Sequence, residues 1–139
     1  MEMNQTQVTW QAGMAFNVDL DGHSFKVDAK PEVGGGNLGP RPKGLVLSAL
    51  GGCTGMDVVS ILAKMRVPLE GFRVEVEAPL TDEHPRVYMA IHVRYVFRGK
   101  DLPMDKLERA VQLSQERYCG VSAMLAKAVP MTHEIVLED

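Results

Sequence analysis

The stretch from Leu45 to Met65 limits what this chain can become. It is apolar with few interruptions, and Val46, Ala49, Leu50 and Cys53 stand at i, i+3, i+4 and i+7, on one face of a helix. Such a segment has to be covered, by lipid or by protein. It is long enough to be weighed as a membrane span, but Ser48, Thr54, Asp57 and Ser60 dilute it, and an aspartate near the bilayer centre costs about 3 kcal/mol. A buried central helix is therefore expected. Gly51 and Gly52 each cost about 1 kcal/mol of helix propensity relative to alanine, which predicts a bend or break there and puts Cys53 at the start of a new helical segment. The helix is apolar on nearly all sides, more than the rest of a 139-residue chain readily covers. Gly51-x-x-x-Gly55 permits close packing against another helix, and a second copy of the chain is the expected supplier.

The flanking segments predict strands and further helices. "AFNVDLDGHSFKVD" alternates apolar and polar residues on both sides of Asp21-Gly22, the signature of a β-hairpin whose tight turn needs positive φ. "KPEVGGGNLGPRP" follows, a flexible loop whose three consecutive glycines exclude regular structure. "FRVEVEA" and "VYMAIHVRYVFR" read as strands, the second with Tyr88, His92, Arg94 and Arg98 on a face expected to be wet. "MDKLERAVQLSQERYC" places Leu107, Ala110, Val111, Ser114 and Tyr118 at helical spacing, with Asp105 and Glu108 as a D-x-x-E start. A shorter helix over "GVSAMLAKA" and a strand from Thr132 to Leu137 complete an α+β layout, read as a single domain over residues 1–139.

Composition narrows the function. Net charge is -3 and the basic residues are scattered, which sets aside nucleic acid as a partner. The first ten residues have neither the basic start nor the apolar run of a signal peptide, so a reducing cytoplasm is expected, where a permanent disulfide is disfavoured. Cys53 and Cys119 are the only cysteines, 66 positions apart (119 minus 53), and His23, His84, His92 and His133 share no ligand spacing with either. No metal site is expected, since zinc needs four ligands, or three and an open position.

A free cysteine ionises with a pKa near ~8.5 unless its site lowers that value, as a helix N-terminus does. Cys53 after its glycine pair and Cys119 before Gly120 both stand at such expected junctions. If adjacent, they form a peroxidatic and resolving pair, in which one thiolate becomes a sulfenic acid and condenses with the other thiol. Against this stands the commoner role of free cysteine as a small buried hydrophobe. The residues alone leave both open.

"RPKGLVLSALGGCTGMDVVSIL" together with "LSQERYCGVSAML" resembles the OsmC/Ohr family, osmotically inducible protein C and organic hydroperoxide resistance proteins, over nearly the whole chain. The resemblance implies an OsmC-like fold in an intertwined α+β homodimer, with active sites at the subunit interface that pair a reactive Cys53 with a resolving Cys119. It implies thiol-dependent reduction of organic hydroperoxides in oxidative stress defence, with no metal or haem, and recharging by an external dithiol or lipoylated protein. The apolar surroundings favour a fatty or aryl hydroperoxide over hydrogen peroxide.

The sequence departs from that family in one respect. Its peroxidase branches carry a glutamate ten positions before the reactive cysteine, salt-bridged to an arginine of the N-terminal strands. Here Lys43 holds that position and no arginine precedes Arg41. Thiolate activation then falls to another cation, Arg41, Lys43 or Arg117, with Glu116 to orient it, or the scaffold is a binding protein for an apolar or electrophilic small molecule. A redox sensor, with the disulfide as output, is a third reading. The sequence looks closer to the less characterised branch, in which "DVVSIL" follows the first cysteine and "YC" marks the second.

Overall fold

A computed structural model describes residues 1–139. They divide into two compact units, Met1–Val46 and Leu47–Asp139.

The first unit is a three-stranded antiparallel sheet, β1 (Thr6–Ala12), β2 (Ala15–Leu20) and β3 (His23–Val27), in the order β1-β2-β3. The Asp-Gly hairpin forms as expected: Leu20 pairs with His23, and Asp21 and Gly22 take φ of 51° and 78°. β1 adds a strand that the sequence reading did not include. The glycine-rich segment is not free chain. It makes a 3₁₀ turn at Pro31–Val33, and Asp28 accepts backbone N–H bonds from Ala29, Gly36 and Leu38 at 2.7, 3.0 and 3.1 Å. Those three bonds, Leu38's foremost, hold the Asp28 carboxyl below the usual carboxylate range against the opposing effect of burial. Gly35 is required here for room, since a Cβ on it would lie 1.7 Å from the Ala29 carbonyl oxygen.

The second unit is built on the sheet β4 (Gly71–Glu77), β5 (Ile91–Arg98) and β6 (Met131–Glu138). β4 and β5 are antiparallel, whereas β5 and β6 are parallel. A parallel pair needs a long crossover, and α2 (Met104–Leu113), a π-helical turn (Ser114–Tyr118) and α3 (Gly120–Ala126) provide it. Ile91, Val93, Tyr95 and Phe97 alternate onto one face and are buried with Leu107, Ala110 and Val111 of α2 and Leu50, Val58 and Leu62 of α1 (Gly44–Lys64). The opposite face is wet, as its sequence predicts: Glu75 pairs with Arg73 and Arg94, and Glu134 with His92. β5 starts later than its alternation suggests, because Val87–Ala90 lie outside the ladder and Tyr88 makes only an isolated bridge with Leu80. At the start of α2, Pro103 is the N-cap and no side chain caps the helix, so Asp105 lies within the first turn instead of capping it.

The expected break at Gly51-Gly52 does not occur; α1 runs unbroken through both glycines. A Cβ on Gly51 would stand 3.4 Å from Val76, and one on Gly55 3.3 Å from Val74. The glycines let the helix lie close on β4, and that packing outweighs about 2 kcal/mol of lost propensity for the pair. The predicted buried face is also rotated. Leu50, Thr54, Val58 and Leu62, four residues apart, form the buried stripe, while Val46 and Ala49 are exposed. By length and composition α1 is the one helix apolar enough to cross a membrane, and Leu50, Val58 and Leu62 anchor it in the core.

Candidate active site

Cys53 lies in the middle of α1, so no helix N-terminus acts on it, contrary to the expectation from its glycines. Its side chain is half-buried against the core cluster. Thr54, the next residue, faces fully inward and opens a chain of hydroxyls. Thr54 Oγ1 lies 2.8 Å from the Tyr95 hydroxyl and 2.7 Å from Ser114 Oγ. Ser114 Oγ donates to Asp57 Oδ2 at 2.9 Å, and Gln115 Nε2 donates to the Tyr95 hydroxyl. Burial pushes the Tyr95 phenol up, with the hydrogen bonds from Thr54 and Gln115 acting against it. Five polar side chains from α1, β5 and the π-helical turn thus satisfy one another in and at the edge of an otherwise apolar core.

Cys119 does occupy the helix start expected of both cysteines. It is the N-cap of α3, with φ -79° and ψ 103°, and its Sγ accepts from the Ser122 amide at 3.3 Å. Its own amide donates to the Ser114 carbonyl at 2.8 Å. Only 3% of the residue is accessible. Burial pushes the Cys119 thiol up, the Ser122 hydroxyl and amide oppose it, and the neighbouring Cys53 adds to the rise. The two thiols make no hydrogen bond of regular geometry, and both pack at one core cluster. Ser122 Oγ, buried beside Cys119, has no regular hydrogen-bond partner.

Of the six residues singled out from sequence, the structure brings Cys53 and Cys119 together. Glu116 and Arg117 are exposed on the π-helical turn and join no ion pair. Arg41 is engaged within its own loop, donating to Gly39 O at 2.7 Å and Asn37 Oδ1 at 2.6 Å. Lys43 is exposed just ahead of α1. Sequence reasoning passed over Thr54, Asp57, Tyr95, Ser114 and Ser122. A signal existed for three of them: Thr54 and Asp57 are polar positions inside an apolar helix, and Ser114 takes a core position in the spacing of α2. No cluster of three or more His, Cys, Asp or Glu side chains is placed to hold a metal ion.

An apolar groove of about 640 Å³ runs between α1 and the edge strand β4. Gly51, Gly52, Gly55, Met56, Phe72 and Val74 are among its walls, and Gly52 is the residue before Cys53.

An unbroken central helix on a mixed three-stranded sheet, with two cysteines distant in sequence set against one core cluster, defines an α+β protein of this architecture. A family model described as "OsmC-like protein" matches residues 34–134, and the chain belongs to that family. It is 38% identical over 130 residues to protein YhfA of Escherichia coli, covering 93% of this chain and 94% of that one. A hypothetical protein from Aquifex aeolicus has the same fold, with a TM-score of 0.83 at 28% identity over the full length of both chains. An organic hydroperoxide resistance protein, OsmC, from Legionella pneumophila aligns with a TM-score of 0.69 over 98% of each chain. Its identity is 14%, so that likeness is one of fold.

Proposed function

We propose that this protein is a thiol-dependent reductase of organic hydroperoxides, with Cys53 as nucleophile and Cys119 as resolving cysteine. What supports the reading is that two thiols 66 positions apart (119 minus 53) pack at the same core cluster in unequal surroundings, Cys53 half-buried and Cys119 almost sealed. The more accessible sulfur meets the substrate. Its thiolate attacks one peroxide oxygen, the O–O bond breaks, and the alkoxide takes a proton and leaves as the alcohol. Cys119 then attacks the Cys53 sulfenic acid, an S–S bond forms, and the hydroxide leaves as water with the Cys119 proton. An external dithiol or lipoylated protein returns two electrons and two protons. Oxidative stress defence in the cytoplasm is the corresponding role.

A homodimer is part of this reading. Val46, Met56 and Val59 leave an apolar face of α1 exposed, and a second copy covers such a face at lower cost than water. No hydrogen bond ties an arginine or lysine to Cys53, and activation of its thiolate is assigned to a cation outside the hydrogen-bonded shell, Arg41, Lys43 or Arg117.

One observation favours a second reading. The apolar groove between α1 and β4, walled in part by Gly52, suits an apolar or electrophilic small molecule held without turnover. Stopped-flow reaction of the reduced protein with cumene hydroperoxide and with hydrogen peroxide, counting free thiols before and after, separates the two. A peroxidase loses both thiols rapidly, faster with the organic substrate, and a Cys53→Ser variant loses all turnover. Thiols that survive cumene hydroperoxide overturn the peroxidase and leave the binder, which keeps its ligand in Cys53→Ser.

A further inference from the structure

Ser114 is joined to both sides of the thiol pair through different atoms. Its hydroxyl is bonded to Thr54 Oγ1 at 2.7 Å and donates to Asp57 Oδ2 at 2.9 Å. Those two residues flank the stretch of α1 that follows Cys53. Its carbonyl accepts from the Cys119 amide at 2.8 Å. The residue is fully buried and opens the π-helical turn. Such a turn carries one residue more than an α-helical one and is frequent at functional sites. Here it ends at Cys119, whose extended backbone closes the turn and caps the start of α3.

The hydrogen bonds run in one direction. Gln115 donates to Tyr95, and Ser114 donates to Asp57. Each hydroxyl between has one proton to give, so Tyr95 donates to Thr54 and Thr54 to Ser114. Every member of the chain has a partner, and none is free to turn without stranding a buried group.

We propose that Ser114 is a positioning residue for disulfide formation, clamping the turn that carries Cys119 onto the turn of α1 that carries Cys53. This rests on the reading of Cys53 and Cys119 as a redox pair. A disulfide requires its Cα atoms within roughly 7 Å, and fixing two reactants in that geometry is worth orders of magnitude in effective concentration.

The test is the equilibrium of the full-length protein with glutathione redox buffers. There the Cys53–Cys119 bond forms as glutathione disulfide is cleaved, two electrons and two protons passing to give two glutathione thiols. The oxidised fraction is read by alkylation and mass spectrometry, beside a thermal melt of each variant. Ser114→Ala lowers the disulfide equilibrium constant about tenfold, since a hydrogen bond to a charged acceptor is worth at least that. Thr54→Ser, which keeps the hydroxyl, stays within about twofold of the unmodified protein on the same reasoning. An unchanged constant in Ser114→Ala, with or without a lower melting temperature, overturns the clamp. Should that variant not fold, Asp57→Ala at the half-buried end reads the same contact, and an unchanged constant there overturns it equally. An unmodified protein that forms no internal disulfide across the buffer range sinks the redox-pair reading and the clamp with it. A disulfide that forms normally but ignores Ser114 sinks the clamp alone.

Discussion

Replacing Thr54 by valine isolates the hydroxyl chain from the apolar packing around it. The two side chains have nearly the same shape, so no cavity opens, and only Oγ1 is lost. That atom is fully buried between the Tyr95 hydroxyl at 2.8 Å and Ser114 Oγ at 2.7 Å. Ser114 keeps Asp57 as its acceptor. Tyr95 still accepts from Gln115, but its own O–H has nowhere to point. A stranded buried donor costs about 1–3 kcal/mol and a lost neutral hydrogen bond about 1 kcal/mol. Exchanging a buried hydroxyl for a methyl returns about 1 kcal/mol. The balance is a loss of about 2 kcal/mol, which lowers the melting temperature of a chain this long by about 7 °C. Urea denaturation should show a lower midpoint at unchanged slope. The same reasoning makes the losses in the Thr54→Val/Tyr95→Phe double variant less than additive, because the phenylalanine removes the stranded donor, although it also costs the half-buried Gln115 amide its acceptor. A Thr54→Val protein as stable as the unmodified one, or a double variant whose losses add, refutes the account.

At neutral pH, iodoacetamide followed by mass spectrometry should label Cys53 of the reduced protein well before Cys119, whose thiol burial holds up and shields; equal labelling contradicts the assignment of roles. Asp28 has a depressed folded pKa, so its stabilisation is present above the ordinary value of 3.8 and is lost as pH falls through the lower folded value. Asp28→Asn should therefore melt lower at pH 7 and show a flatter acid limb in a melting-temperature series from pH 5 to about 2. Gly35→Ala drives a Cβ into the Ala29 carbonyl and should destabilise by about 3 kcal/mol or more, read by urea denaturation; a mild effect means that the loop yields.

Local pattern made much of the fold legible. The Asp-Gly turn, the alternation of β5 and the apolar run of α1 each report a contact between near neighbours, and each formed. β1 went unread although Val8 and Trp10 alternate with Gln7, Thr9 and Gln11, because every one of its residues is exposed and the contrast across its faces is weak. At the site, the cysteines and the family resemblance were visible in the sequence. The hydroxyl chain was not, since Thr54, Tyr95 and Ser114 are ordinary residues until the fold joins them.

The sequence by itself determined the periodicities, the α+β class and the presence of two thiols in apolar surroundings, all of which follow from residue type and spacing along one chain. Only the tertiary structure decided that α1 passes straight through Gly51-Gly52, because the gain from packing against Val74 and Val76 exceeds the propensity cost and neither valine is near in sequence. It also decided that, of the two cysteines expected at helix starts, only Cys119 caps one. That outcome depends on where a parallel crossover must end to return the chain to β5, a closure condition that no local window of residues contains.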